Sequence, residues 1–207
     1  MFLPACLLTS RDLGVSEITL YNEADQITQL KNVNHMFNVT WTCPYSLVVF
    51  ISGAPPRTVN SQGASLSWSV TFAQTSRRNL TGTLQYNIPR TALCGEQKAI
   101  LRFLDFVRSD DFDILWRKVI IVVSNDTNMS RMVCFLENDA FNNGPGHKPS
   151  RFSDRGRRQL ISQSLKQIRM AKDFDVEFWR VPKDQMVQPL PAASNELNSS
   201  GSSGQSQ

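Results

Sequence analysis

Glu96 and Asp126 are the two side chains whose placement invites chemistry. Glu96 stands three residues after Leu93 and four before Ile100, so it shares the apolar stripe of the helix predicted from Thr91 onward. Asp126 follows Val119-Ile-Ile-Val-Val123 at the carboxyl end of the most apolar strand, the edge of an open α/β sheet where ligands bind. Two carboxylates converging from a helix and a strand end could hold Mg²⁺, a hard cation that takes oxygen ligands. Each also has a purely structural explanation. Glu96 suits the positive end of a helix dipole, and Asp126 suits the N-cap of the helix that follows. The sequence leaves both explanations open.

The second chemical feature is cationic. Arg151, Arg155, Arg157 and Arg158 cluster before and at the start of a predicted helix, and Lys166, Arg169 and Lys172 continue the basic character along it. Arg155, Arg157 and Arg158 are the candidates for contacting phosphates of a nucleic acid, and a solvated helix surface is the alternative. With 22 Lys+Arg against 18 Asp+Glu, the chain is mildly basic, which permits a polyanionic partner without demanding one. Trp68, Trp116 and Trp179 lie in strand runs and are assigned to the core. Cys6, Cys43, Cys94 and Cys134 show no Cys-x-x-Cys spacing and the two histidines lie far apart, so zinc has no support. Met1–Leu8 is apolar but lacks a basic start and is too short to span a bilayer. The expectation is a soluble, monomeric intracellular protein, cytoplasmic or nuclear, with no membrane partner.

The elements that must position these residues follow from periodicity. Tyr45–Ile51 reads as a buried strand ending at Ser52-Gly53-Ala54-Pro55-Pro56, and Ala64–Phe72 and Leu84–Ile88 alternate as its antiparallel neighbours. Leu93, Ile100, Phe103, Leu104 and Val107 then recur at helical spacing, Val119–Val123 is a covered parallel strand, and Thr127–Leu136 is a short helix. A long helix over Asp154–Lys172 turns Leu160, Ile161, Leu165 and Ile168 inward and its basic residues largely outward, and Phe174–Val181 is the closing strand. The expected fold is α/β, a mixed five-stranded sheet of three antiparallel and then parallel strands, covered by helices. It spans residues 45–193. Residues 1–44 show no sustained period and are read as a poorly defined extension, and 194–207 is a disordered Ser/Gly/Gln-rich tail.

In this order, Phe50-Ile-Ser52-Gly53-Ala54, the glutamate of Gly95-Glu96-Gln-Lys-Ala99, Val123-Ser-Asn-Asp126-Thr127 and Phe178-Trp-Arg-Val-Pro182 resemble type 1 ribonuclease H over roughly 45–193. The closing strand and Ser153-Asp-Arg155 look most like the fungal members. The resemblance implies a ribonuclease H-like fold, with carboxylates holding two Mg²⁺ ions that cut the RNA strand of an RNA–DNA hybrid. It casts Glu96 and Asp126 as catalytic residues and metal ligands, with Mn²⁺ as a substitute for Mg²⁺.

The departures limit that expectation. The family's first aspartate falls on Ser52, and its last falls near Leu190 in Gln185-Met-Val-Gln-Pro-Leu190, where no carboxylate stands. Asp184 is the nearest substitute, six positions early. The sequence therefore favours a divergent, degenerate relative that binds RNA–DNA hybrids with weak or lost endonuclease activity. The alternative is an active, divergent Mg²⁺-dependent ribonuclease H hydrolysing the RNA strand. A nuclease-like relative with another polynucleotide task ranks third.

Overall fold

A computed structural model describes residues 5–6, 11–12, 14–34, 39–54, 57–58, 64–86, 91–109, 116–124, 126–139, 154–172 and 174–186. In chain order the elements are β1 (Ala5–Cys6), β2 (Arg11–Asp12), α1 (Val15–Ile18), β3 (Thr19–Asn22), β4 (Ile27–Asn34), β5 (Val39–Thr42) and β6 (Ser46–Gly53). They continue as β7 (Arg57–Thr58), β8 (Ala64–Thr71), β9 (Leu80–Tyr86), α2 (Ala92–Arg108), β10 (Lys118–Ser124), α3 (Thr127–Asp139), α4 (Asp154–Ala171), β11 (Asp175–Val181) and a 3-10 turn over Lys183–Met186.

The centre of the molecule is the mixed sheet that the periodicities predict. β6 pairs antiparallel with β8, and β8 with β9, while β10 lies parallel between β6 and β11. The order across these five strands is β9, β8, β6, β10, β11. All eight residues of β6 are buried, which is why it reads as one apolar run: it has strands on either side and cover on both faces. Alternation then divides the core. Leu47, Val49 and Ile51 of β6 join Val119, Ile121 and Val123 of β10 on one face, against Ile100, Phe103, Leu104 and Val107 of α2 and Ile161, Leu165 and Ile168 of α4. Val48, Phe50, Ile120 and Val122 project from the other face and pack with Trp179, Val181 and Met186.

The second face shows where the sequence reading of residues 1–44 falls short. Rather than a poorly defined extension, the described part of this segment builds α1, β3, β4 and β5 and joins the sheet: β4 pairs antiparallel with β6 at Thr28 and Val48, with β3 and β5 paired to β4. Val15 packs with Val48 and Phe50, and Ile27 is buried in the main core. Strand β4 (Ile-Thr-Gln-Leu-Lys-Asn-Val-Asn) escapes recognition because Thr28 and Gln29 are buried polar residues that blur its alternation.

Two glycines set how closely α2 approaches the sheet. A Cβ on Gly53 would run into the carbonyl oxygen of Ala92 and lie 2.8 Å from the Glu96 nitrogen and 3.1 Å from its Cγ. A Cβ on Gly95 would lie 2.6 Å from Leu66 Cδ2 and 2.9 Å from the Ser67 carbonyl oxygen. Bare backbone at both positions lets the first turns of α2 rest directly on the ends of β6 and β8. Trp68, Trp116 and Trp179 are buried, as expected for core residues.

Candidate functional site

That close approach delivers Glu96 to the carboxyl end of the parallel strands. Glu96 is the fifth residue of α2, beyond the first turn, and is only 5% exposed. Its position is thus explained by its neighbours on the sheet and not by the helix dipole. β10 ends at Ser124 and the chain turns into α3, where Asp126 Oδ1 accepts a hydrogen bond from the Met129 N–H at 2.8 Å. Asp126 is therefore a helix cap, one of its two sequence readings. Its other oxygen faces inward. The Ser124 hydroxyl donates to Asp126 Oδ2 at 2.8 Å and to Glu96 Oε1 at 3.2 Å, so one serine joins the two acidic side chains.

Ser52 occupies the remaining place. The parallel register sets Phe50 beside Val122, so two residues later Ser52 stands level with Ser124. It is 1% exposed, and its Oγ has no hydrogen-bond partner. Glu96 Oε2 is likewise buried without one. Unsatisfied buried oxygens each cost about 1–3 kcal/mol, so both oxygens would gain from a polar partner.

The electrostatics follow from this crowding. Burial pushes the Glu96 carboxyl up to about 7, and the negative charge of Asp126 pushes in the same direction, opposed by the Ser124 hydrogen bond and the positive charge of Lys183. Burial thus favours the neutral acid over the carboxylate. Lys183, in the 3-10 turn after β11, is a member of this neighbourhood that sequence reasoning missed. Its only signal was its position just beyond Phe178-Trp-Arg-Val-Pro182. Asp184, the proposed substitute carboxylate, instead lines a cavity of about 790 Å³ with Val15, Tyr21, Thr28 and Phe50. The segment around Leu190 and the acidic residues of 110–113 lie outside the described residues.

The donor set among the described residues does not fit a pair of divalent ions. Among the described residues no three His, Cys, Asp or Glu side chains come together in a way that could hold a metal ion. Glu96 and Asp126 offer two carboxylates, one of them readily neutralised by a proton, with hydroxyls at Ser52 and Ser124.

The basic candidates divide. Arg157 is 5% exposed and has interaction partners, which corrects the expectation that it points outward; it comes from α4 where that helix packs against α2. Its charge adds to the effects of burial and Arg102 in holding the Lys98 ammonium below its ordinary value, against the opposing pull of Asp105. Arg158 is half-buried, with its guanidinium 5.5 Å from the centre of the Phe135 ring. Arg155 lies on the first turn of α4, where the backbone alone is described, and Arg151 lies outside the described residues. Cys43, Cys94 and Cys134 are free thiols. Among the described residues no helix is long and apolar enough to cross a membrane.

No protein-family model and no curated protein matches the chain. Several solved structures are similar to it. Ribonuclease H1 from the halophilic archaeon Halobacterium salinarum is 14% identical, with a TM-score of 0.46 covering 74% of this chain and 98% of that one. LC11-RNase H1 in complex with an RNA/DNA hybrid is 13% identical, with a TM-score of 0.42 covering 72% and 98%. The foamy viral protease-reverse transcriptase in complex with an RNA/DNA hybrid is 19% identical, with a TM-score of 0.45 covering 72% of this chain and 19% of that one. Likeness of that degree leaves the chemistry to be read from the chain's own residues.

Proposed function

We propose that this chain is a ribonuclease H-like nucleic-acid-binding protein that engages RNA–DNA hybrids with weak or lost endonuclease activity, acting as a monomer in the cytoplasm or nucleus. Support comes from the order of the four motifs along the chain and from the convergence of two of their residues, Glu96 and Asp126, on Ser124. One observation carries the loss of activity: a buried serine, Ser52, stands where the resemblance calls for the first aspartate. A hydroxyl supplies no anionic charge, so two divalent ions in close proximity would lack the neutralisation that holds them. A single Mg²⁺, or Mn²⁺ in its place, held weakly by Glu96 and Asp126 is the most this donor set would support.

The same change suits binding without metal. A site of four carboxylates repels phosphates until cations fill it. Here burial favours the neutral form of Glu96 and Lys183 contributes positive charge to the neighbourhood, which lessens the repulsion a phosphate would meet. Arg155 and Arg158 are the proposed contacts from α4, and Arg157 is proposed to act by bracing that helix.

The alternative, an active divergent Mg²⁺-dependent ribonuclease H, draws on one observation: Glu96 Oε2 and Ser52 Oγ are buried and unpartnered, as groups awaiting a cation would be. A labelled RNA–DNA hybrid distinguishes the two. The expected result is binding that survives EDTA and weakens as salt rises, with no more than trace cleavage in Mg²⁺ or Mn²⁺. RNA-strand cleavage that Glu96→Gln abolishes would establish the active enzyme instead, and absence of hybrid binding at low salt would reject both.

A further inference from the structure

At the opposite end of the sheet from the carboxylates, where the parallel strands begin, cations and exposed aromatic rings gather from separate parts of the chain. Register fixes which residues share this end. Lys118 of β10 stands beside Ser46 of β6 and Asp175 of β11. The N–H groups of Arg117 and Lys118 both donate to the Tyr45 carbonyl, at 2.8 and 3.0 Å, and that of Asp175 donates to the Arg117 carbonyl at 3.1 Å. Tyr45, Arg117 and the start of β11 are thus tied into one row.

The end of α4 comes down on that row. Arg169 and Lys172 line, with Arg117, Phe174 and Asp175, a cavity of about 540 Å³. Since β8 runs antiparallel to β6, its turn into β9 returns to this end, and Arg78 of that turn lies 5.9 Å from the centre of the Trp116 ring. β4 is also antiparallel to β6, so its later residues, and β5 paired with them, extend past the start of β6. That extension carries Trp41, 46% exposed, four residues before Tyr45, 56% exposed.

Attraction of cations to a helix C-terminus accounts for Arg169 and Lys172. It does not account for Arg117 and Arg78, which come from other elements, or for two large rings left in water. Among the described residues the cavity lining brings Arg117, Arg169 and Lys172 together with Asp175, while neighbouring Lys118 pairs with Glu177 at 2.9 Å. Positive charge and exposed aromatic side chains at one end of a sheet suit single-stranded nucleic acid, whose phosphates track cations while unpaired bases stack on rings. A duplex keeps its bases stacked on one another and could use the charge alone.

We propose that this end of the sheet is a second polynucleotide contact, at which a single strand lays its phosphates across Arg117, Arg169 and Lys172 and stacks bases on Tyr45 and Trp41. It stands apart from the carboxylate edge and does not depend on hybrid binding there.

Fluorescence anisotropy of a labelled oligothymidylate with the full chain tests it, with circular dichroism checking that each variant folds. Arg169→Glu with Lys172→Glu is expected to raise Kd at least about tenfold and to flatten the dependence of log K on log salt by about 1.4, the loss of two phosphate contacts to a single strand. Tyr45→Ala should raise Kd roughly five- to a hundredfold, and Tyr45→Phe should restore binding. Arg155→Ala with Arg158→Ala should weaken a labelled hybrid yet leave the oligothymidylate within about twofold of the parent. The proposal is overturned if the charge reversal leaves affinity and salt slope unchanged. It is also overturned if Tyr45→Ala binds like the parent while pyrophosphate displaces the strand completely, which would leave a phosphate pocket only.

Discussion

Ser124 has one hydroxyl proton and two carboxyl groups within reach, and the shorter contact, to Asp126, takes the larger share of it. Ser124 therefore offsets only part of what burial, first, and the charge of Asp126, second, do to Glu96, whose carboxyl is pushed up to about 7. The consequence for stability has a definite sign. Because the folded pKa lies above the ordinary 4.5, the native state binds more protons than the unfolded chain between pH 4.5 and about 7, so this group's stabilisation is present at acid pH and is lost as pH rises through 7. The loss amounts to about 3 kcal/mol. Urea denaturation across this range should show Glu96→Gln losing that part of the pH slope and gaining stability relative to the parent above pH 7; an unchanged slope would contradict the assignment. The acidic pair was legible in the sequence because each residue broke a packing pattern, Glu96 by sitting on an apolar stripe and Asp126 by ending an apolar strand. Lys183 and the burial of Arg157 were not, since an exposed-looking Lys or Arg carries no periodic signature and its surroundings depend on how distant elements pack.

At the scale of elements, the docking of α2 onto β6 rests on the absence of two methyl groups. Gly53→Ala must push the helix away from the strand or distort both backbones, an overpacking change that costs about 1–3 kcal/mol. Urea midpoints measure that cost, and weakened hybrid binding by Gly53→Ala would place the helix position, and with it Glu96, in the binding site. The N-terminal strands give a second check. Ile27 is fully buried in the main core, so Ile27→Ala should lower stability by about 2–5 kcal/mol. A loosely attached extension would give almost no change. Strands with both faces covered, β6 and β10, announced themselves as continuous apolar runs, and α2 and α4 by helical stripes. β4 did not, because a strand that buries Thr28 and Gln29 at a sheet junction shows neither alternation nor an apolar run.

For the whole molecule, the sheet separates two environments: a carboxylate edge where the parallel strands end, and a basic, aromatic rim where they begin. The sequence showed the cations of the long helix but not that its last turn would share a rim with Tyr45 and Arg117, since that meeting depends on strand order alone. Raising salt should weaken hybrid binding, whereas adding Mg²⁺ to a few millimolar should raise the melting temperature little, because stabilisation by a ligand grows only with the logarithm of the ratio of its concentration to its dissociation constant, a ratio that stays small for a weak site. A large, Glu96-dependent rise on thermal denaturation would reveal a far better metal site than two carboxylates provide. The position of β6 carries one more consequence. Its partners come from both directions along the chain, β4 shortly before it, β8 shortly after, and β10 only once β9 and the whole of α2 have intervened. Hairpin-like pairings on one side can therefore form early, while the parallel half must wait for a long loop to close, a costly search that slows folding. During synthesis the nascent chain would carry an apolar edge on β6 until β10 leaves the ribosome, an interval in which a chaperone or a neighbouring nascent chain could bind it first.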